Sequence, residues 1–588
     1  MATSGTSYRR DELLEKPRSG FLVGAIGFWW LMTTTGLGQY PVQVARSTGG
    51  MVVSASTLAS RVGQAVLEEG GNAVDAAVAT AFALAVTWPE AGNLGGGGFM
   101  LVVPPAQVPV VIDYREAAPL RAGRHMYQPG DSRYSIKAVA TPGTVKGLAL
   151  AHRRYGRLPW RRLVEPAAEL ARQGFSVDTP LARSLNHVLS DPQVREEPAF
   201  AELRRVYGKP DGSPWQEGDR LVLPGLANTL RLLAEEGEAA FYQGPIAQQI
   251  VEHMAKQGGL IGYDDLRGYE AITRTPIRIE YRNYTVLAPP PPSSGGICLA
   301  MLLGMLEPCQ LGKQPRYSPQ TLHVMAESMR RAYRERARWL GDPAYWPIPH
   351  DLASRSFARR LTESIDPNRA TPSEQIAGDI LLVDESPETT HFSVVDQDGM
   401  AVANTYTLEA SYGSRIVVPG AGFLLNNEMG DFNWFAGVTN RNGQIGTPAN
   451  LIAPGKRMLS SQTPTVVLLD GQPVLLTGSP GGRTIINTVL TILVNALEYQ
   501  MPLPDAVAHP RMHHQWFPDE LVLERAPELI SDATLNALRE MGHQVRISPV
   551  PQGSAHSIWI DPQTRLRVGV ADLRRSGFAA GIASEARR

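Results

Sequence analysis

Glu388-Thr389-Thr390-His391-Phe392-Ser393 is where the chain changes character. The run before it, Asp379 to Pro387, is acidic and carries proline. From Thr390 onward, Phe392 and Val394 alternate with His391, Ser393 and Val395, as in a strand. Asp396-Gln397-Asp398-Gly399 supplies a turn, and Met400 to Glu409 returns as a second strand, so a β-hairpin is expected. Counting back from the turn, in either favoured register, brings Thr407 within about one residue of opposite Thr389. Two threonine hydroxyls then stand at the open end of one hairpin. Taken alone, Thr-Thr is an ordinary strand opening, because threonine favours strands. A hydroxyl becomes a nucleophile only with a base, and a free α-amino group on the same residue can serve. That requires a cut between Glu388 and Thr389.

Three downstream stretches change the weight of that observation. They are Asn426-Asn427-Glu428-Met429-Gly430-Asp431-Phe432, Leu459-Ser460-Ser461-Gln462-Thr463-Pro464 and Gly478-Ser479-Pro480-Gly481-Gly482. With Thr389 before them, in this order, the chain resembles the gamma-glutamyltranspeptidases, which belong to the N-terminal nucleophile hydrolases. The likeness runs from about Gly50 to Gly581. It implies an α+β fold, a four-layer αββα sandwich built as one compact unit by both halves of a chain that cuts itself. The implied segments are an N-terminal export signal or anchor (1–45), a large subunit (46–388) and a small catalytic subunit (389–588).

The resemblance also implies roles. Cleavage between Glu388 and Thr389 exposes the Thr389 amine beside its own hydroxyl, which attacks the γ-carbonyl of a γ-glutamyl amide. Thr407 positions that hydroxyl, and the Gly481 and Gly482 amides receive the oxyanion, where no side chain hinders close approach. Arg115, in Asp113-Tyr114-Arg115-Glu116-Ala117-Ala118-Pro119, grips the substrate's α-carboxylate, a task suited to a planar guanidinium. Ser460 and Ser461 donate to the same carboxylate. Glu428 and Asp431 accept from the ammonium. At Glu409 many relatives carry Asn and some bacterial members Glu, so an acceptor for the ammonium survives. The implied partners are γ-glutamyl substrates such as glutathione, with water or amino acids and peptides as acceptors; no cofactor is implied. Two further enzyme readings keep the fold and change the acyl group, as in cephalosporin acylases or poly-γ-glutamate depolymerases. A third is an unprocessed, non-enzymatic relative.

Composition bounds these readings. The 588 residues exceed a typical single core, and 43% hydrophobic with 19% charged residues describes a globular chain. A net charge of −1 offers no basic field for nucleic acid. The two cysteines, Cys298 and Cys309, fall in an apolar stretch and are expected as buried free thiols. His509, His513 and His514 lack a nearby carboxylate pattern, so surface or packing roles are expected for them, and no metal site. Arg9, Arg10, Lys16 and Arg18 precede an apolar run, Phe21 to Met32, the pattern of an export signal. No small-x-small cleavage site follows, which leaves a cleaved signal and a retained membrane anchor both open. Placement is expected to be periplasmic or extracellular.

Elsewhere the expectations concern secondary structure. Helices are expected at 56–69 and, capped by Asn72, at 73–86. Gly92 to Gly98 lacks the Lys and spacing of a phosphate loop and reads as close backbone packing beside a site. Strands are expected at 99–103 and 110–114, then a helical region from Thr144 to about Gln310. The helix 322–339 carries Arg330, Arg331, Arg334, Arg336 and Arg338, read as a solvated face. A strand is expected at 422–426 and hairpins about Asp470-Gly471 and over 554–571. Asn433 to Ala453 is long enough for a lid, with Asn442 roughly where some members carry an aromatic gate, so its closure stays open.

Overall fold

The computed structural model describes residues 40–378 and 390–583. The Glu388–Thr389 bond, Thr389 as the expected nucleophile, and the N-terminal basic and apolar run lie outside the described residues.

The hairpin forms as read. Strand Thr390–Val395 pairs antiparallel with Ala401–Thr407, with Thr390 opposite Tyr406 and Val395 opposite Ala401. Both strands are buried along their whole length, so neither faces water. They lie at the centre of a seven-stranded sheet in the order Phe578–Gly581, Met51–Ser54, Thr390–Val395, Ala401–Thr407, Gly97–Val103, Val110–Asp113, Ile272–Arg274. A second seven-stranded sheet runs Val42–Ser47, Arg567–Asp572, His556–Ile560, Gln472–Thr477, Thr465–Leu469, Tyr284–Ala288, Ile277–Tyr281. Every pairing in both sheets is antiparallel. In the second sheet's central hairpin, Asp470 and Gly471 both take positive φ (51° and 77°), the requirement of a primed two-residue turn.

The faces of the sheets explain the layers. Met51, Val53, Phe99 and Leu101 of the first sheet meet Val466, Leu476, Ile558 and Ala571 of the second in one apolar cluster between them. The alternate residues Val52, Met100, Val102, Phe392 and Val394 point the other way, against helices Thr57–Glu68 and Ala73–Thr87. The second sheet's outer face, including Val467 and Leu475, packs on helices Gly295–Leu306, Pro319–Trp339 and Thr484–Leu493. Helix, sheet, sheet, helix is the four-layer sandwich expected from sequence, and each strand's two-residue period serves two cores at once. Helix Ala73–Thr87 is buried on all sides, which its alanines permit. Asn72 caps it, accepting from the Val74 and Asp75 amides at 3.0 Å each, while Asp75 accepts from the Asn72 amide.

Several expectations are corrected. The region expected to be helical to Gln310 also contains strands: the short pair Phe175–Ser176 and Arg220–Leu221, the edge strands Ile272–Arg274 and Ile277–Tyr281 of the two large sheets, and Tyr284–Ala288 beside the latter. Segment 422–426 makes only isolated bridges, Gly95 to Leu425 and Val417 to Leu424. The packed fold takes in Val42 to Ala45, which pair with Asp572 through Gly569. Helix Pro319–Trp339 does not present a solvated arginine face. Arg330, Arg331 and Arg336 are buried; Arg330 pairs with Glu327 and Asp519, and Arg331 with Glu327. Two carboxylates make that burial tolerable: Glu327, one turn back on the same helix, and Asp519, remote in sequence and invisible in a helical wheel. Cys298 is buried, Cys309 half-buried, and both are free thiols.

Candidate active site

The returning strand ends at Thr407, and there the chain turns into the site. Thr407 Oγ1 accepts from the Glu409 amide (2.9 Å), and Glu409 takes a left-handed backbone (φ 79°). For a non-glycine residue that conformation is costly and persists only where the surroundings impose it. Here they do: Asn427 donates its side chain to the Glu409 carboxylate and accepts from the Ala410 amide, and Arg133 Nη1 pairs with Glu409 Oε1 at 2.9 Å. The glycine run does what close packing requires. A Cβ on Gly95 would strike the Leu424 carbonyl, and one on Gly96 the Thr407 carbonyl. Asn426 then pins the acidic loop to this run, donating to the Gly95 and Ala140 carbonyls (2.7 and 2.8 Å).

A cleft of about 770 Å³, its open mouth included, lies against this turn. Arg115, Thr407, Glu409, Glu428, Asp431, Ser460, Ser461 and Gly482 all line it. Sequence positions up to 367 residues apart therefore converge, as their motif order implied. Gly481 is not among the lining residues, but it precedes Gly482 in the turn that opens helix Thr484–Leu493. Both glycines have positive φ (125° and 51°), a path that a side chain would strain.

The charges are unevenly balanced. Arg115 is fully buried, its Nη1 donating to Glu428 and Glu116 and its Nη2 to Asp431 at 2.5 Å, with the Met458 and Leu459 carbonyls completing its fork. Burial would push this guanidinium down, and the three carboxylates more than reverse it. The carboxyls carry the complementary strain. Burial pushes Glu409 up to about 8 against the pull of Arg133, and Glu116 up to about 7 against that of Arg115. Glu428 is raised well above the usual range by burial, with Glu116, Asp431 and Glu409 adding to it against Arg115. Glu428 Oε2 and Glu116 Oε1 are buried with no hydrogen-bond partner. Four carboxyls thus gather about Arg115 and Arg133, an excess of acid confined to this corner of the cleft, since Arg336 and Arg483 line it elsewhere. Asp431, whose side chain is 29% exposed, is the most accessible of the three carboxylates on Arg115.

The serine pair is held from behind. The Ser460 amide donates to the Pro292 carbonyl, and the Ser460 carbonyl accepts from both the amide and hydroxyl of Ser294 (2.7 Å each). Ser460 Oγ accepts from the Gln462 amide (3.1 Å), and Ser461 Oγ from Arg336 Nη2 (3.0 Å). With their oxygens so engaged, both O–H groups are left to donate, the arrangement a carboxylate needs.

Four lining or neighbouring residues were missed from sequence. Arg336 was placed on a solvated face. Arg483 and Gln462 sit beside recognised motifs without a role of their own; both side-chain ends of Gln462 are buried without a partner. Glu116 lies in the Arg115 motif and joins the carboxyl cluster. The segment 433–453, expected as a lid, contributes Asn433, Ile445, Thr447 and Asn450 to the lining, while Asn442 is exposed and is not among them. His513 and His514 are buried, bonded to Asn487 and Gln515 and to Asp519 respectively, with burial holding each down to about 4. His509 accompanies them in burial.

Two antiparallel sheets face to face between helical layers, with the site at the end of a central hairpin, place the protein in the N-terminal nucleophile hydrolase class. A cephalosporin acylase from Bacillus halodurans shares this fold, at a TM-score of 0.80 over 92% of this chain and 97% of that one, with 24% identity. Sequence narrows the class. The Gamma-glutamyltranspeptidase family model matches residues 59–582, and the chain belongs to that family. A glutathione hydrolase proenzyme from Escherichia coli K12 is 44% identical over 537 residues, covering 90% of this chain and 91% of its own length. One from Pseudomonas aeruginosa is 38% identical over 526 residues, covering 87% and 91%.

Proposed function

We propose that the chain is a proenzyme that cuts itself between Glu388 and Thr389 and then acts as a γ-glutamyltransferase and glutathione hydrolase. The observation that carries this reading is the convergence of Arg115, the carboxyl cluster and the Ser460–Ser461 pair on one cleft beside Thr407 and Gly482. Charges of both signs around so small a space suit an α-amino acid head and reject an apolar acyl group. That weighs against a cephalosporin-type acyl specificity on the same fold.

In the maturation step, Thr389 Oγ attacks the Glu388 carbonyl carbon and the peptide C–N bond breaks, leaving an ester and a free Thr389 amine. Water hydrolyses the ester, giving a Glu388 carboxylate and restoring the hydroxyl. The result is a large subunit ending at Glu388 and a small one beginning at Thr389.

In turnover, the amine takes the proton from Thr389 Oγ as the oxygen attacks the γ-carbonyl. Thr407 holds the hydroxyl, and the Gly481 and Gly482 amides receive the oxyanion. The C–N bond then breaks, the leaving amine takes the proton, and a γ-glutamyl ester of Thr389 remains. Water releases glutamate; an amino acid or peptide amine yields a new γ-glutamyl compound. On binding, the substrate's ammonium is set against Glu428, Glu409 and Asp431. Asp431, the accessible partner, exchanges Arg115 for that ammonium, and the substrate carboxylate takes the vacated Nη2 with the two serine hydroxyls.

The basic and apolar N-terminus directs this enzyme out of the cytoplasm, to the periplasm or the exterior, as a cleaved signal or a retained anchor. Intact mass of the purified protein beside Thr389→Ala tests the reading first. Two fragments, the smaller starting at Thr389, are expected for the wild type and one chain for the variant, with turnover of a γ-glutamyl anilide only in the former. A wild type that stays whole under folding conditions would leave Thr389 without its base and favour a non-enzymatic relative.

A further inference from the structure

An amino acid head carries its ammonium and its α-carboxylate on one carbon. The carboxyls that take the first and the serines that take the second must therefore stand at one spacing, although they come from separate stretches, the acidic loop with Glu428 and Asp431 and the turn Leu459-Ser460-Ser461. The Arg115 side chain links these stretches, donating to the Glu428 and Asp431 carboxylates and to the Met458 and Leu459 carbonyls. That link cannot hold the spacing through binding, because its bond to the Asp431 carboxylate is the one given up when the donor arrives.

Asn450 makes a second link, which binding leaves alone. Its Nδ2 donates to the Asp431 carbonyl at 2.7 Å, and its Oδ1 accepts from the Leu459 amide at 2.9 Å. Both contacts are to main chain, so the Asp431 carboxylate and the serine hydroxyls keep their freedom to meet a ligand. Asn450 is buried in the wall of the cleft. A carboxamide offers a donor and an acceptor from one short side chain, whereas an ionised aspartate has no donor and glutamine reaches from a longer arm.

Asn450 is itself held in place. Its carbonyl accepts from the Asn433 amide at 2.9 Å, and the carbonyls on either side of it, of Ala449 and Leu451, both accept from Lys456 Nζ (2.8 and 2.9 Å). Lys456 is buried, and its own carbonyl accepts from the Ala118 amide at 2.8 Å, which ties this clamp to the Arg115 stretch. The end of segment 433–453 is thus a strut between the two halves of the head site. Resting on the γ-glutamyl reading above, we propose that Asn450 is a positioning residue for the donor, clamped by Lys456, which sets the distance between the carboxyls that take the ammonium and the serines that take the α-carboxylate. Its contribution belongs to donors that use both poles. A glutaryl donor, which keeps the carboxylate and lacks the ammonium, gains nothing from the spacing.

The test compares kcat/KM on a γ-glutamyl anilide and on the matching glutaryl anilide, for the wild type and for variants that still cut themselves. The wild type should favour the γ-glutamyl donor by about a thousandfold or more, since a glutaryl group leaves buried polar groups unpaired. Asn450→Ala should lower that ratio at least about tenfold, chiefly by raising KM for the γ-glutamyl donor. Asn450→Asp, which sets an oxygen against the Asp431 carbonyl, should do no better, and Asn450→Gln should recover part of the ratio. An unchanged ratio in the self-processed Asn450→Ala would overturn the assignment, as would equal losses on both donors, the mark of a purely structural role. Should Asn450→Ala stay uncut, the Asp and Gln variants carry the comparison; if all three stay uncut, Asn450 serves folding and the assignment fails. A wild type that turns over neither donor, or prefers the glutaryl one, removes the γ-glutamyl reading itself.

Discussion

Replacing Glu409 by Gln should cost activity at alkaline pH and almost none at acid pH. Glu409 is buried in the turn after Thr407, with Arg133 and Asn427 on it and Asp431, Arg115 and the Gly430 backbone nearby. Burial lifts its carboxyl to about 8 even though Arg133 pulls the other way. At pH 6 it is then about 1% ionised, and at pH 9 about 90%. Glutamine matches the protonated form in shape and charge but not the ionised one, which offers a charged acceptor to the donor's ammonium. A hydrogen bond to a charged group is worth about 1.5–3 kcal/mol, or roughly tenfold to a hundredfold in kcat/KM. The assay is kcat/KM of the self-processed enzymes on a γ-glutamyl anilide from pH 6 to 9, read as the ratio of wild type to Glu409→Gln. The Thr389 amine titrates in the same range, but it is present in both enzymes and cancels in the ratio. The ratio should rise from near one at pH 6 to at least about ten at pH 9. A penalty equal at both ends would refute the reasoning, since it would mean that Glu409 acts by shape or is ionised throughout.

Other outcomes follow from the same geometry. Arg336→Gln should raise KM for the donor by about tenfold with a smaller change in kcat, because the Ser461 hydroxyl loses the bond that orients it while the reacting atoms are untouched; Arg336→Lys should recover part of the loss. Arg115→Gln should destabilise the fold by about 3–5 kcal/mol, by leaving buried carboxyls unpaired, and adding Glu428→Gln should recover stability but not turnover, as thermal melts and the anilide assay would register. Thermal stability should peak near pH 6.5. Below it, His513, His514 and His556 (each held down to about 4), His543 (about 3) and His391 stay neutral in the fold while the unfolded chain takes up protons, so stability falls with pH. Above it, Glu116, Glu409 and Glu428 keep protons that the unfolded chain has lost, so stability falls as pH rises, and the gain in melting temperature of Glu409→Gln over the wild type should be small near pH 4.5 and grow steadily to pH 8.

Much of this was legible in the sequence where local pattern and tertiary need agree. The hairpin about Asp396–Gly399 fixed its own register, because a slip by one residue would turn Phe392 and Val394 away from the core they share with helix Ala73–Thr87. The edge strand Ile277–Tyr281 was equally readable: Ile277, Ile279 and Tyr281 alternate with Arg278 and Glu280, and the helical reading of the wider region hid it. Arg336 was readable too. Met325, Met329, Tyr333 and Arg336 follow at spacings of four, four and three, one stripe of the helix, so an arginine stands in the apolar row. Its neighbours Arg330 and Arg331 gave no such sign: their pairing with Glu327 on the same helix would suit an exposed face equally well, and the partners that admit them to the interior are remote in sequence, Ser373 and Asp519 for Arg330, Ser364 and Thr371 for Arg331.

What no linear pattern could convey is the charge count. Glu116, Glu409, Glu428 and Asp431 come from three separate stretches, and each read singly is a loop residue or a cap. Only when folded do they face two guanidiniums and strand two buried carboxylate oxygens without partners. A buried excess of carboxyls is unfavourable, and the fold meets it by holding protons, which is why Glu116 and Glu409 titrate near neutrality. A substrate ammonium set against these carboxyls favours their ionised form and displaces those protons, while its own carboxylate goes to Arg115 and the serines. The strain that makes the empty site titrate near pH 7 and 8 is therefore the same strain that selects a zwitterionic head, and binding of the donor should release protons to the buffer in that range, an uptake or release that calorimetry in buffers of different ionisation enthalpy reads directly.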